Sequence, residues 1–109
     1  MTGAPLEISV QELKEARESG RDLIVLDIRE PWELDVARLA GTLDIPMNEI
    51  PERLSELPKD KPVAVLCRSG ARSLRVTEYL RARGYDLTSN VAGGILAWAD
   101  NFDPSMTRY

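Results

Sequence analysis

The sequence predicts an α/β fold, a parallel sheet with helices on both faces. Three observations predict it. Short apolar, β-branched runs alternate along the chain with segments of helical periodicity. The connections between them are only a few residues long. The runs are apolar throughout rather than alternating, as strands covered on both faces must be. A chain of 109 residues suits one domain with one core, read here as residues 1–109 with the core over about 6–102 and a short flexible tail over 103–109.

Taken in order, Leu6-Glu-Ile8 reads as a short strand. Ser9-Val-Gln-Glu12 has the capping-box spacing, in which serine and glutamate each satisfy an end amide of the helix; that helix runs to about Ser19 and stops at Gly20. Leu23-Ile-Val-Leu-Asp-Ile28 is a buried strand. Glu30-Pro31 opens a short helix over roughly Pro31–Ala37, with proline at or near the first helical position, where its missing N–H costs nothing. Thr42-Leu-Asp-Ile45 is a weak strand ended by Pro46. Asn48 to Leu57 places Ile50, Leu54 and Leu57 at helical spacing and ends at Pro58. Pro62-Val-Ala-Val-Leu66 is another buried strand. Ala71–Arg83 carries Leu74, Val76, Tyr79 and Leu80 as a helix closed by Gly84. Thr88–Val91 is a short strand, and Gly93-Gly94 opens a last helix carrying Ile95, Leu96 and Trp98.

Composition narrows the chemistry. The 43% hydrophobic and 29% charged content is that of a globular rather than a disordered chain. No apolar run approaches the ~20 residues that span a bilayer, and Met1–Glu7 lacks the basic and apolar regions of a signal peptide. One cysteine forms no intrachain disulfide. Together these predict a cytoplasmic protein with no membrane partner; a monomer or weak dimer is the expectation, which these observations do not themselves decide. The net charge is −4, yet Arg68–Arg83 holds five arginines and one acid, a local +4 that leaves −8 for the rest. A nucleic-acid binder needs a broad basic surface, so nucleic acid is not an expected partner. The chain has no histidine, which excludes a Ser-His-Asp triad, a Cys-His pair and histidine metal sites. No metal or organic cofactor is expected.

The cysteine stands where such a fold binds ligands. Cys67 ends the strand Pro62–Leu66, and Arg68-Ser-Gly-Ala-Arg72 leads from it into a helix; ligands of parallel sheets bind beyond the C-terminal strand ends. Gly70 permits a tight turn and close approach to a ligand. Amides of the loop and first helical turn point inward as an anion nest. That nest, the positive helix end, Arg68 and Arg72 favour a thiolate without any imidazole. Cys67 is therefore the candidate nucleophile, and Arg68, Ser69, Gly70, Ala71, Arg72 and Ser73 form the candidate substrate-binding loop. A mere core cysteine has no use for the glycine, the two arginines and the helix start. Ser69 and Ser73 offer hydroxyls to an anion, although Ser73 has an equal claim on its own helix backbone. Arg81 and Arg83 read as a solvated helix face, Asp27 and Arg29 as a structural pair at a strand end, Gly93-Gly94 as a site of close packing, and Trp98 as core. Trp32 and Tyr79 carry no functional signal.

Spacing separates sulfur from phosphorus. Phosphatases of the tyrosine-phosphatase kind wrap phosphate with Cys-x5-Arg, whereas Cys67 and Arg72 stand as Cys-x4-Arg. A loop one residue shorter encloses a smaller pocket, which suits a sulfur atom better than a phosphoryl group. A phosphatase also needs an acid to protonate its leaving group, and nothing in the sequence places one there.

Four motifs in order, Leu26-Asp-Ile-Arg-Glu30, Gly41-Thr-Leu-Asp-Ile-Pro46, Cys67-Arg-Ser-Gly-Ala-Arg-Ser73 and Val91-Ala-Gly-Gly-Ile-Leu-Ala-Trp98, closely resemble the rhodanese family of sulfurtransferases over about Leu6 to Phe102. The resemblance implies a rhodanese-like parallel sheet of about five strands, a six-residue active-site loop based on Cys67, and a persulfide on that cysteine. It implies a small anionic sulfur donor such as thiosulfate, or a persulfide donor, and a thiol, thioredoxin or cyanide-like acceptor. Relatives with a seven-residue loop include dual-specificity phosphatases and arsenate reductases, which stand as the alternative on this fold; a dedicated sulfur-delivery or partner-binding module is a further one. The sequence departs from the family's usual Gly-His-Ile-Pro-Gly-Ala at Ala37–Thr42, where Arg38 replaces the histidine and Ala40 the proline. This reads as a change in the rim of the site that bears on acceptor preference.

Overall fold

In the computed structural model, which describes residues 4–109, strands β1 (Glu7–Ile8), β2 (Ile24–Asp27), β3 (Leu43–Asp44), β4 (Val63–Leu66) and β5 (Thr88–Val91) form one sheet. Its order is β1-β5-β4-β2-β3, and every pairing is parallel. Both edges are strands of only two residues. Between the strands lie α1 (Val10–Glu18), α2 (Pro31–Val36), a 3₁₀ segment (Met47–Glu56), α3 (Ala71–Arg81) and α4 (Gly94–Phe102). The α/β class and the parallel sheet are as the sequence predicts.

Side chains on successive strand residues point to opposite faces, and this divides the core in two. Val63, Val65 and Cys67 join Leu26, Ile50, Val76 and Leu80 on the face covered by α3 and the 3₁₀ segment. Ala64 and Leu66 join Val10, Leu13, Val25 and Ile95 on the face covered by α1 and α4. Cys67 is thus the last inward residue of a continuous apolar row, which anchors its Cα to a fully buried strand. Burying a side chain such as Leu66 or Leu80 contributes about 2 kcal/mol.

Local signals set the helix ends. Ser9 accepts from the Glu12 amide at 3.0 Å while the Glu12 carboxylate accepts from the Ser9 amide at 2.9 Å, the reciprocal cap read from the sequence. Pro31 is at the start of α2. The helical spacing of Asn48–Leu57 becomes a kinked 3₁₀ segment, with Arg53 off helical geometry at φ −117°. Pro51 lies inside it and has no amide hydrogen for an α-helical ladder, so the chain buries Ile50 with tighter turns instead. Met106 and Tyr109, in the stretch read as a tail, lie against the α1/α4 side of the core.

The strand order fixes where a site can form. From β2 the chain passes outward to β3 at one edge, then crosses back to β4 and on to β5. The connections after β2 and β4 therefore diverge, which opens a crevice at their C-terminal ends. The register pairs Asp27 with Leu66, and the Ile28 amide donates to the Leu66 carbonyl at 3.1 Å. Asp27-Ile-Arg29 and Cys67 are brought to the same end of neighbouring strands. No helix among the described residues is long and apolar enough to cross a membrane.

Candidate active site

Cys67 is fully buried, and its sulfur faces donors from the loop that follows. The Gly70 amide lies 3.1 Å from Sγ, the Ser73 amide 3.4 Å and the Ser73 hydroxyl 3.2 Å. Wrapping these groups onto one atom requires Gly70 at φ 101°, a conformation that other residues rarely adopt. A side chain there would also meet the Gly93 amide nitrogen at 3.0 Å. The nest foreseen from the sequence forms, and it is aimed at sulfur. Of the two serines, Ser73 makes the contact and Ser69 is exposed.

The loop is held from behind by the start of α4. The amides of Ile95 and Leu96 donate to the carbonyls of Cys67 and Arg68 at 2.9 and 3.1 Å. The backbones approach so closely that a Cβ on Gly94 would lie 2.5 Å from both carbonyl oxygens. Gly93-Gly94 is therefore a packing device, as its sequence suggested. Asn90 adds a third tie, donating from Nδ2 to the Gly70 carbonyl at 3.2 Å and to Glu7 at 2.8 Å.

Side chains from distant elements build the rim. Arg72 grips Glu33 with two parallel bonds of 2.9 and 2.7 Å. Glu33 also accepts from the Glu30 amide at 2.8 Å and from the Tyr109 hydroxyl at 2.9 Å. These donors, Arg72 foremost, hold its carboxyl down at about 2 despite burial. Arg72 is correspondingly raised above the ordinary guanidinium range, chiefly by Glu33. Asp27 and Arg29 form a fully buried pair with Oδ2 and Nη2 2.8 Å apart. Arg29 spends its remaining donors on the Ala37 carbonyl at 2.8 Å, the Glu33 carbonyl at 3.3 Å and the Tyr109 hydroxyl at 3.0 Å. It fastens α2 to the end of β2, the structural role read from the sequence. Trp98 stacks edge-on with Phe102 beside the α1/α4 core rather than at the loop. Arg38 pairs with Asp44 on the surface.

Arg68 and Arg72, both expected to serve an incoming anion, are already engaged. Arg72 is taken by Glu33, and Arg68 Nε donates to the Tyr109 carbonyl. Sequence reasoning missed Glu33 and Tyr109. For Glu33 one signal was present: it stands three residues after Glu30 in a helix that starts at the same sheet end as Cys67. A cleft of about 270 Å³ between the 3₁₀ segment and α3, lined by Met47, Ile50, Pro51, Arg75, Val76 and Tyr79, includes none of the loop residues.

The fold and site together define a parallel α/β domain whose cysteine loop, lined by amides, lies at the switch point of the sheet. The chain matches the rhodanese-like domain over residues 9–101 and belongs to that family. It is 42% identical over 93 residues to a sulfurtransferase of Allochromatium vinosum, covering 85% of this chain and 87% of that one. It is 40% identical over 98 residues to the putative sulfurtransferase YtwF of Bacillus subtilis, covering 90% and 94%. Among solved structures, a rhodanese-related protein from Thermoplasma volcanium superposes with a TM-score of 0.81 at 34% identity, covering 90% of this chain and 94% of that one.

Proposed function

We propose that the protein is a cytoplasmic sulfurtransferase that carries sulfane sulfur on Cys67. The observation that carries this reading is the convergence of two amides and one hydroxyl on Sγ within 3.1–3.4 Å. Those groups are placed to stabilise negative charge on sulfur, with no reorganisation when charge arrives. The Cys67 thiolate attacks the outer sulfur of thiosulfate. A Cys67 S–S bond forms, the bond to the sulfonate sulfur breaks, and sulfite leaves with its electron pair. With an organic persulfide as donor, a thiolate leaves instead. An acceptor nucleophile (cyanide in an assay, a small thiol or thioredoxin in a cell) then attacks the outer sulfur and returns Cys67 to the thiolate. Ser73 is the hydroxyl that serves this charge, and the reaction calls for no metal or organic cofactor.

The test is mass spectrometry after incubation with thiosulfate or an organic persulfide. The peptide containing Cys67 should gain the mass of one sulfur atom, and Cys67→Ser should abolish the gain. An unmodified Cys67 after both donors would overturn the proposal, and turnover of an aryl phosphate that is lost in Cys67→Ser would replace it with a phosphatase.

A further inference from the structure

Tyr109 lies 42 positions after Cys67 in the chain yet closes the ring of contacts around the loop. Its hydroxyl donates to Glu33 at 2.9 Å and accepts from Arg29 at 3.0 Å. Its ring lies 5.2 Å from the Arg68 guanidinium and 6.0 Å from that of Arg29. Trp32, otherwise 60% exposed, meets the ring edge-on at 5.7 Å. The Tyr109 backbone carbonyl accepts from Arg68 Nε. With Arg72 held by Glu33, Tyr109 occupies the remaining loop guanidinium, and the sulfur beneath is fully buried.

We propose that Tyr109 is a specificity-determining residue, a latch that holds Arg68 and must be displaced before a small anion reaches Cys67. It acts through Arg68, so it is a positioning residue and not a catalytic one. The chemistry it screens is charge: a small inorganic anion competes with the ring and carbonyl for one guanidinium, whereas a larger donor can seat on Trp32 and the vacated ring position. The inference rests on the reading of Cys67 as the reacting sulfur, but its test needs no sulfur transfer.

The experiment compares alkylation of Cys67 by iodoacetate, an anion, and by iodoacetamide, its neutral isostere, at low salt. Loss of one cation–π contact in Tyr109→Ala should raise the iodoacetate rate about two- to fivefold more than the iodoacetamide rate. Tyr109→Phe, which keeps the ring, should stay near the parent ratio, and Arg68→Ala with Tyr109→Ala should erase the gain. In steady state with thiosulfate, Tyr109→Ala should lower KM and leave kcat unchanged. Equal acceleration of both reagents would show a mere cover or a loosened fold, and an unchanged ratio would show no latch; either overturns the proposal. Selective alkylation with no persulfide formed would retain the latch and reject sulfur transfer.

Discussion

The donors around the Cys67 sulfur come from Gly70 and Ser73, at most six residues further along the chain, whereas the rim carboxylate on Arg72 comes from Glu33, 39 residues back. The floor is made largely of backbone amides and the rim of side chains. A floor of amides survives almost any substitution that leaves the loop in place, because each residue supplies the same N–H. A rim of ion pairs is altered by one substitution. On the proposed function, chemistry is fixed in the floor and selectivity is adjustable at the rim.

The largest effect should come from breaking the floor through its support. Gly94→Ala places a methyl 2.5 Å from two carbonyl oxygens at φ 60°, so α4 must move off the loop. A loss of about 2–3 kcal/mol is expected in urea unfolding, together with loss of sulfur loading on Cys67. Gly20, where an added Cβ meets nothing within 4 Å, is the control at similar φ. If Gly94→Ala costs no more than Gly20→Ala, the floor does not depend on α4.

The next effect belongs to the rim. Glu33→Gln weakens charge-assisted bonds to Arg72 and should cost about 1–3 kcal/mol, while freeing Arg72 to lower KM for thiosulfate. Acid should reproduce the loss of stability. Glu33 has its pKa depressed in the folded state from 4.5 to about 2, so the unfolded chain takes up the proton first. The pair's contribution is complete above pH 4.5 and lost progressively as pH falls towards about 2. Chemical unfolding across that window should show the parent protein converging on Glu33→Gln. A constant gap would place the stabilisation elsewhere.

The smallest effect is long-range attraction. If Arg68 and Arg72 steer anions, thiosulfate turnover should fall as salt shortens the screening length to about 8 Å at physiological strength. With both guanidiniums engaged, the slope should be shallow in the parent protein and steeper in Tyr109→Ala. Flat profiles in both would remove the steering role.

The same division explains what the sequence disclosed. Cys67–Ser73 was legible because one contiguous stretch holds strand end, glycine and helix start, and local geometry follows from local residues. Gly93-Gly94 was legible as close packing because a glycine pair at a helix start has few other uses. Glu33 was not: its spacing from Glu30 marks only a helix cap, and its meeting with Arg72 exists only once the register of β2 against β4 brings two loops together. Tyr109 was read as part of a short tail, since its partners Arg29 and Glu33 lie far from it in the chain and meet it only in the fold. Choosing between Ser69 and Ser73 needed the loop's curvature, which puts residue 73 over the sulfur and leaves residue 69 outside. The helical spacing of Ile50, Leu54 and Leu57 did not disclose the kinked 3₁₀ geometry, which follows from Pro51 inside the segment.

The two-residue strands at either edge of the sheet have a consequence for the protein among its neighbours. A sheet edge recruits foreign strands in proportion to the row of unpaired amides and carbonyls it displays. Here that row ends almost as soon as it begins, at Glu7–Ile8 on one side and Leu43–Asp44 on the other. Molecules crowded together therefore find almost nothing to extend, and encounters between them are left to side chains.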